Sequence, residues 1–108
     1  MTRISFYSDG GRQNGFIISG HTGFDDYGQD IVCAAATSAV RLCETIVRDV
    51  LCVPADVSVN GENAEISFFL KGESSQADAV LRGMLIYFVQ LAGEYPDNIN
   101  VVEVKRNA

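Results

Sequence analysis

Two turn segments limit what this chain can fold into, because each lies between two patterns that are typical of β-strands. The first turn, Ser8–Gly15, is rich in residues that tolerate positive φ, and the second contains Asn60-Gly61, a strong signal for a tight hairpin. Hairpins join antiparallel strands, so most of the sheet is expected to be antiparallel. The flanking strands are predicted at Thr2–Tyr7, Phe16–Gly20, Asp56–Val59 and Ala64–Leu70.

A long amphipathic helix is predicted between the two hairpins. It is expected to begin at an N-cap, Asp30, and to end near Leu51, ahead of Pro54. Cys43 lies within the apolar side of this helix and is expected to be a packed structural thiol, whereas Cys33 lies at its boundary in the first turn. The apolar side comprises Val32, Ala35, Ala36, Ala39, Leu42, Cys43, Ile46, Val47 and Val50.

A second amphipathic helix follows the second hairpin. Ser74 or Ser75 is predicted to cap it, with Asp78 completing a capping box from Ser75, and Gly93 and Pro96 are predicted to end it. Gly83 lies in the middle of this helix, where glycine costs about 1 kcal/mol relative to alanine. We therefore expect Gly83 to mark close packing, against the alanine-rich first helix.

A last strand at Ile99–Val104 completes the order β-β-α-β-β-α-β. This order predicts an α+β fold, a mostly antiparallel sheet with two helices packed on one face. The composition is 47% hydrophobic and 20% charged, which is typical of a globular protein. We expect residues 1–108 to form a single domain.

Charge and composition exclude several classes of function. The formal net charge is −6 and there is no basic cluster, which disfavours direct nucleic-acid binding. No apolar run approaches the roughly 20 residues that span a membrane, and no export pattern is seen, so a cytoplasmic protein is expected. One histidine and three widely spaced cysteines fit no zinc pattern, and no phosphate-binding glycine signature is present, so no metal or cofactor is expected.

His21 and Cys33 are the strongest candidates for chemistry in the sequence. The thiolate is the nucleophilic form of cysteine, and both the start of a helix and a nearby imidazole lower the pKa of a thiol. Cys33 is predicted three residues after the helix cap, and His21 lies at the end of the second strand. The pair could therefore attack an acyl carbon, with His21 acting as general base and then protonating the leaving amine.

Asp30 has two possible roles. As an N-cap it would accept a backbone hydrogen bond at the helix start. As a supporting residue it would orient His21 and raise the basicity of the ring, a role that Asp25 or Asp26 could take instead. The stretch Thr22–Gln29 is predicted to be either a mobile flap over the site or an ordinary connector.

These residues resemble those of a known family. Gly20-His21, a short loop with glycine, and then Gly28-Gln-Asp-Ile-Val-Cys33-Ala-Ala-Ala-Thr-Ser-Ala39 are similar to the ribosomal-processing cysteine proteases of the Prp family. The resemblance extends over the whole chain in size and element order.

The resemblance implies an endopeptidase that removes the N-terminal extension of a large-subunit ribosomal protein during ribosome assembly, cutting after an aromatic residue. It also implies a homodimer, with His21 as general base, Cys33 as nucleophile and Thr22–Gln29 as a loop that gates substrate. A basic ribosomal tail would complement the acidic chain. The candidate substrate-binding residues are Gly20, Thr22, Gly23, Phe24, Tyr27 and Ser38.

Two other interpretations are compatible with the residues. The first is a non-catalytic, ribosome-associated assembly or binding domain in which Cys33 is merely packed. The second is a thiol redox protein, although no Cys-x-x-Cys pair is present and Cys43 is ten residues from Cys33. For dimerisation, the second helix or the sheet face away from the helices, with Phe69 and Tyr7, is expected to contribute a surface.

Overall fold

The computed structural model describes residues 1–20, 27–62 and 64–106, with the backbone alone for residues 27–30. The predicted order β-β-α-β-β-α-β is confirmed. The elements are β1 (Thr2–Asp9), β2 (Arg12–Ser19), α1 (Tyr27–Glu44), a π-helical segment (Thr45–Val50), β3 (Ala55–Asn60), β4 (Glu65–Leu70), α2 (Ser75–Glu94) and β5 (Ile99–Arg106).

The strands form one sheet in the order β3-β4-β2-β1-β5. The pairs β1–β2, β2–β4 and β3–β4 are antiparallel, whereas β5 runs parallel to β1. This parallel pair is possible because α2 carries the chain from β4 to the far side of the sheet, the kind of crossover that parallel strands require. The expectation of a mostly antiparallel sheet is therefore confirmed, and β3 and β5 form its two edges.

Four buried phenylalanines form the centre of the core between the sheet and the helices. Phe6 on β1 contacts Phe16 on β2, with ring centroids 5.3 Å apart, and Phe16 stacks on Phe68 of β4 at 5.4 Å. Phe88 of α2 lies 6.1 Å from Phe6. The same buried cluster includes residues of α1, among them Val32 and Val40. Both helices therefore cover one face of the sheet, as predicted.

The other face of the sheet has a smaller aromatic contact. Tyr7 and Phe69 lie 5.4 Å apart across β1 and β4, and the guanidinium of Arg106 lies over the Tyr7 ring. Gly15 on β2 lies between the two strands, and a Cβ there would overlap the Phe68 carbonyl oxygen and lie 2.6 Å from the Phe69 ring. Glycine is therefore required at this position for β4 to lie this close to β2.

The first helix begins earlier than predicted. Because α1 starts at Tyr27, Asp30 is its fourth residue, and an N-cap must precede the first helical residue. The prediction that Asp30 caps the helix is therefore wrong, and residues 27–29, assigned to a loop from the sequence, are helical. The regular helix ends at Glu44, and the π-helical segment continues it to Val50.

The second helix confirms one of its two predicted caps. The Ser74 hydroxyl accepts a hydrogen bond from the Ala77 N–H at 3.1 Å. The predicted capping box from Ser75 is wrong, because the Asp78 carboxylate instead accepts the backbone N–H of Gln13 on β2 at 2.7 Å. Gly83 is also not a close-packing site, since a Cβ there would have no atom within 4 Å.

Candidate active site at Cys33

Cys33 lies in the wall of a cavity of about 230 Å³ at one end of the sheet. Three parts of the fold meet there because β2 pairs with β4, which brings the end of β2 beside the β3–β4 turn. Helix α1 contributes a further part of the wall of the cavity. Its lining residues are Thr2, Ile18, Ser19, Cys33, Ala36, Thr37, Val59, Asn60, Gly61, Ala64, Glu65 and Ile66.

The cavity is mainly apolar, with polar groups among its lining residues. Ile18, Val59 and Ile66 provide aliphatic surface, whereas Asn60 and Glu65 are contributed by the β3–β4 hairpin. Small-molecule and peptide sites often combine an apolar lining with a few polar groups that fix orientation. The cavity can therefore accept an apolar side chain next to a thiol.

The three cysteines, all within the described part of the chain, occupy different environments. Cys43 is 1% exposed, and its burial, with a further contribution from the Glu44 carboxylate, raises its pKa to about 12. Cys52 is exposed, with φ 56°, after the π-helical segment. Of the three, Cys33 alone lines the cavity, and it is half-buried. The predicted structural role of Cys43 is confirmed.

The thiols of Cys33 and Cys43 are not placed to form a disulfide. Both residues lie in the regular helix α1, and ten residues of α-helix span about 15 Å. A disulfide requires Cα atoms within about 7 Å. A redox pair between these two cysteines would therefore require α1 to unwind.

The position of Cys33 in α1 changes one argument drawn from the sequence. Cys33 is the seventh residue of the helix, in its second turn, rather than the third after a cap. The effect of a helix dipole is concentrated in the first turn. Cys33 therefore lies beyond the part of the helix in which the dipole acts most strongly on a side chain.

Only part of the predicted site lies within the described residues. His21, Thr22, Gly23 and Phe24 lie outside the described residues, and so do the side chains of Tyr27 and Asp30, whose backbones belong to α1. Gly20 lies directly after β2 with φ 93°, and a Cβ there would lie 2.5 Å from the Met1 carbonyl oxygen. Gly20 therefore allows the chain to leave β2 in close contact with the start of β1.

Ser38 lies in a different groove from Cys33. It lines the space between α1 and α2 together with Cys43, whereas Thr37 lines the Cys33 cavity. The reason is the helical period, since Thr37 is about 40° around the helix from Cys33 and Ser38 is about 140° from it. Of the two polar residues one turn beyond Cys33, the structure brings only Thr37 into its cavity.

The β3–β4 hairpin is the part of the site that the sequence did not reveal. Its turn was identified from Asn60-Gly61, but nothing local indicates that this turn lies against α1. The turn reaches this position because β4 pairs with β2, which brings Ile66 opposite Ile18. Strand neighbours that are distant in sequence are set by the whole fold, so local patterns do not supply them.

Within residues 1–20, 27–62 and 64–106, no group of three or more His, Cys, Asp and Glu side chains could hold a metal ion. In the same part of the chain, neither helix is long and apolar enough to cross a membrane.

Comparison with known proteins identifies a matching family and several similar structures. The family model of the cysteine protease Prp matches residues 1–100. SMU.848 from Streptococcus mutans is similar over 98% of this chain and 99% of its own, with a TM-score of 0.89 and 15% identity. A search of curated proteins gives no match.

Two structures of the essential ribosomal processing protease Prp from S. aureus have the same fold. The one in complex with a substrate peptide has a TM-score of 0.87 and 21% identity. The one in complex with a covalently linked product peptide has a TM-score of 0.83 and 22% identity. Each comparison covers 96% of this chain and 100% of the other.

Proposed function

Since the chain belongs to the Prp family of cysteine proteases, we propose that it cleaves a peptide bond with Cys33 as nucleophile and His21 as general base. The observation that carries this proposal is the position of Cys33 in the cavity at the end of the sheet. Cys43 is too buried to meet a peptide, and Cys52 lies outside this cavity. Cys33 is therefore the thiol that combines access with a binding surface.

Chain connectivity supports His21 as the base. Ser19, the last residue of β2, lines the Cys33 cavity, and His21 follows it by two residues. Only two peptide units separate His21 in sequence from this residue of the cavity wall. A cysteine attacks as its thiolate, and an imidazole is the group in this chain best suited to take the thiol proton.

The proposed reaction has two steps. In the first, His21 takes the proton of Cys33, the thiolate attacks the peptide carbonyl carbon, and His21 returns the proton to the leaving amine. In the second, water attacks the thioester, with His21 again accepting a proton, and the carboxylate product and the free thiol are released. Asp30, whose backbone lies one helical turn before Cys33, is proposed to orient His21.

The proposed substrate is the basic N-terminal extension of a large-subunit ribosomal protein, cut after an aromatic residue in the cytoplasm during ribosome assembly. The net charge of −6 favours a basic peptide. The apolar cavity beside Cys33 suits the side chain before the cut bond. The S. aureus protease, which has the same fold, was solved with a substrate peptide bound.

We also propose that the protein forms a homodimer through the outer surface of its two helices. An apolar groove of about 550 Å³ lies between α1 and α2, and Leu42 and Tyr87 beside it are 62% and 39% exposed. Ile86 and Val89 extend this exposed surface along α2. A second copy would cover it through a self-complementary interface. Light scattering should give twice the chain mass, and Leu42→Glu should give the monomer mass.

The test of the proposed chemistry is cleavage of a synthetic precursor peptide. Cys33→Ala should abolish cleavage, and His21→Ala should lower kcat/KM by a factor of about a hundred or more. Cys52→Ala is the matched control, because it removes an exposed thiol outside the cavity. Full cleavage by the Cys33→Ala variant would contradict the proposal.

A further inference from the structure

The edge strand β3 ends in the wall of the Cys33 cavity. Val59 and Asn60, its last two residues, line that cavity together with Cys33. Because β3 pairs with β4 on one side and is the outermost strand, its other side has no neighbour in the described sheet. The backbone groups of an unpaired edge form a template for a further strand.

Within β3 itself, the residues nearest the thiol carry no charged side chain. Natural proteins place charged side chains on free edges to prevent pairing with other chains. In β3 the charge lies at the opposite end, where Asp56 pairs with Lys71 at 3.4 Å. Val59, in contrast, is 72% exposed, although Val57 two residues earlier packs against the core.

We infer that β3 is the docking edge for the peptide substrate, which binds as an added, extended strand. This inference rests on the proposed function and names how the substrate backbone is held. A peptide paired with β3 lies about 4.8 Å from it, and every second side chain points to the face on which α1 lies. The residue opposite the end of β3 then reaches the cavity, and its carbonyl lies beside Cys33.

Charge at this end of the hairpin favours the same ligand. Glu62 in the turn and Glu65 at the start of β4 are both acidic, and Glu65 lines the cavity. No ion pair to either residue is found in the described part of the chain. A basic peptide that adds to β3 would bring its cations to these carboxylates.

The other free edge does not meet these conditions. In the order β3-β4-β2-β1-β5, the strand β5 is four strand spacings from β3, or roughly 19 Å. None of its residues lines the Cys33 cavity. β5 is therefore an internal control for edge pairing that is unrelated to catalysis.

Hydrogen–deuterium exchange can locate the docked peptide. The Cys33→Ala protein, and Cys33→Ser as a second inert variant, are measured with and without a synthetic basic precursor peptide. We expect at least tenfold slower exchange of outward-facing amides in Ala55–Asn60 and no change in Ile99–Arg106. Binding that leaves β3 unchanged, or that protects β5 equally, would overturn the inference.

Backbone methylation of the peptide provides a second measurement. Only alternate residues of an added strand hydrogen-bond to the edge, so N-methylation at successive positions should alternate between little effect and a loss of roughly tenfold in kcat/KM. If the peptide is cleaved but the effect of N-methylation does not alternate along it, the inference that β3 docks the substrate is wrong, and the protease assignment is unaffected. If the unmethylated peptide is not cleaved by the unmodified protein, the proposed substrate itself is wrong, and the inference falls with it.

Discussion

Cys33 on α1 and Val59 on the edge strand β3 line one cavity, although the end of a helix, the π-helical segment and a loop separate them in sequence. The helix supplies the thiol and the strand supplies an exposed apolar surface next to it. Both residues belong to regular secondary structure, so the distance between the thiol and the valine is set by the packing of α1 on the sheet. Sites built on such elements hold their geometry better than sites on loops.

Val59→Lys should therefore lower activity without lowering stability. Val59 is 72% exposed, so its replacement removes little buried surface, but a lysine there would repel a basic peptide and fill the apolar cavity with charge. We expect kcat/KM on a precursor peptide to fall about tenfold or more, with an unchanged thermal midpoint. Val102→Lys, at a 41% exposed valine on the opposite edge strand, should change neither. Equal loss in both variants would indicate a general charge effect.

Gly20→Ala should destabilise the fold more than a comparable glycine substitution. At Gly20 both a positive φ and a Cβ contact of 2.5 Å with the Met1 carbonyl oppose alanine. Gly10 also has a positive φ but has open space around it, so Gly10→Ala measures the backbone strain alone, about 1–2 kcal/mol. Urea unfolding of both variants separates the two effects. Equal losses would show that β1 moves away from Gly20 at no cost.

Asp78 of α2 forms a hydrogen bond to the β1–β2 hairpin. Its carboxylate accepts the Gln13 N–H at 2.7 Å and Arg82 Nε at 2.8 Å, and the same guanidinium donates to the Gly11 carbonyl. Asp78→Asn should therefore cost about 1–3 kcal/mol of unfolding free energy. Glu44→Gln is the matched control, since Glu44 and Arg48 form an exposed i, i+4 pair at the same 2.8 Å and should contribute less than about 0.5 kcal/mol.

The pH dependence of stability provides an independent check on Asp78. Partial burial favours the neutral acid, but the hydrogen bonds from Arg82 and the Gln13 N–H outweigh it and lower the pKa of Asp78 below its usual 3.8. A lowered folded-state pKa stabilises the fold above the ordinary pKa, and this contribution is lost as the pH falls through the folded value. Asp78→Asn should therefore weaken the dependence of stability on pH below 4. An unchanged acid profile would contradict this role.

The fold could be predicted from the sequence where its signals are local. The Asn60-Gly61 turn and the helical periods establish the element order, because each depends on residues close together in the chain. Pairing of β5 with β1 and of β4 with β2 could not be predicted in this way, since it joins distant segments. The helix start was missed for a different reason: Asp30 satisfies the preference for an N-cap, while Gly28 has low helix propensity, yet both lie within α1.

The candidate site could likewise be predicted only where its signals are local in the sequence. Cys33 was separated from Cys43 by helical phase alone, and the structure confirms that only Cys43 is fully buried. The cavity beside Cys33 could not be predicted, because half of its lining comes from the β3–β4 hairpin, whose position depends on the order of strands in the sheet. Ser38 and Thr37 differ by one residue, and only the observed packing of α1 shows which of them faces the cavity.

Cys43 should make the protein less stable in alkaline solution. Burial and the Glu44 carboxylate raise its pKa from 9.0 to about 12, so between these values the unfolded chain loses a proton that the folded chain retains. Stability must then fall as the pH rises above 9, by up to about 1.4 kcal/mol per pH unit. Cys43→Ala should flatten this slope in urea unfolding between pH 9 and pH 11, whereas Cys52→Ser, which alters an exposed thiol, should leave it unchanged. A slope that persists in Cys43→Ala would assign the alkaline sensitivity to other groups.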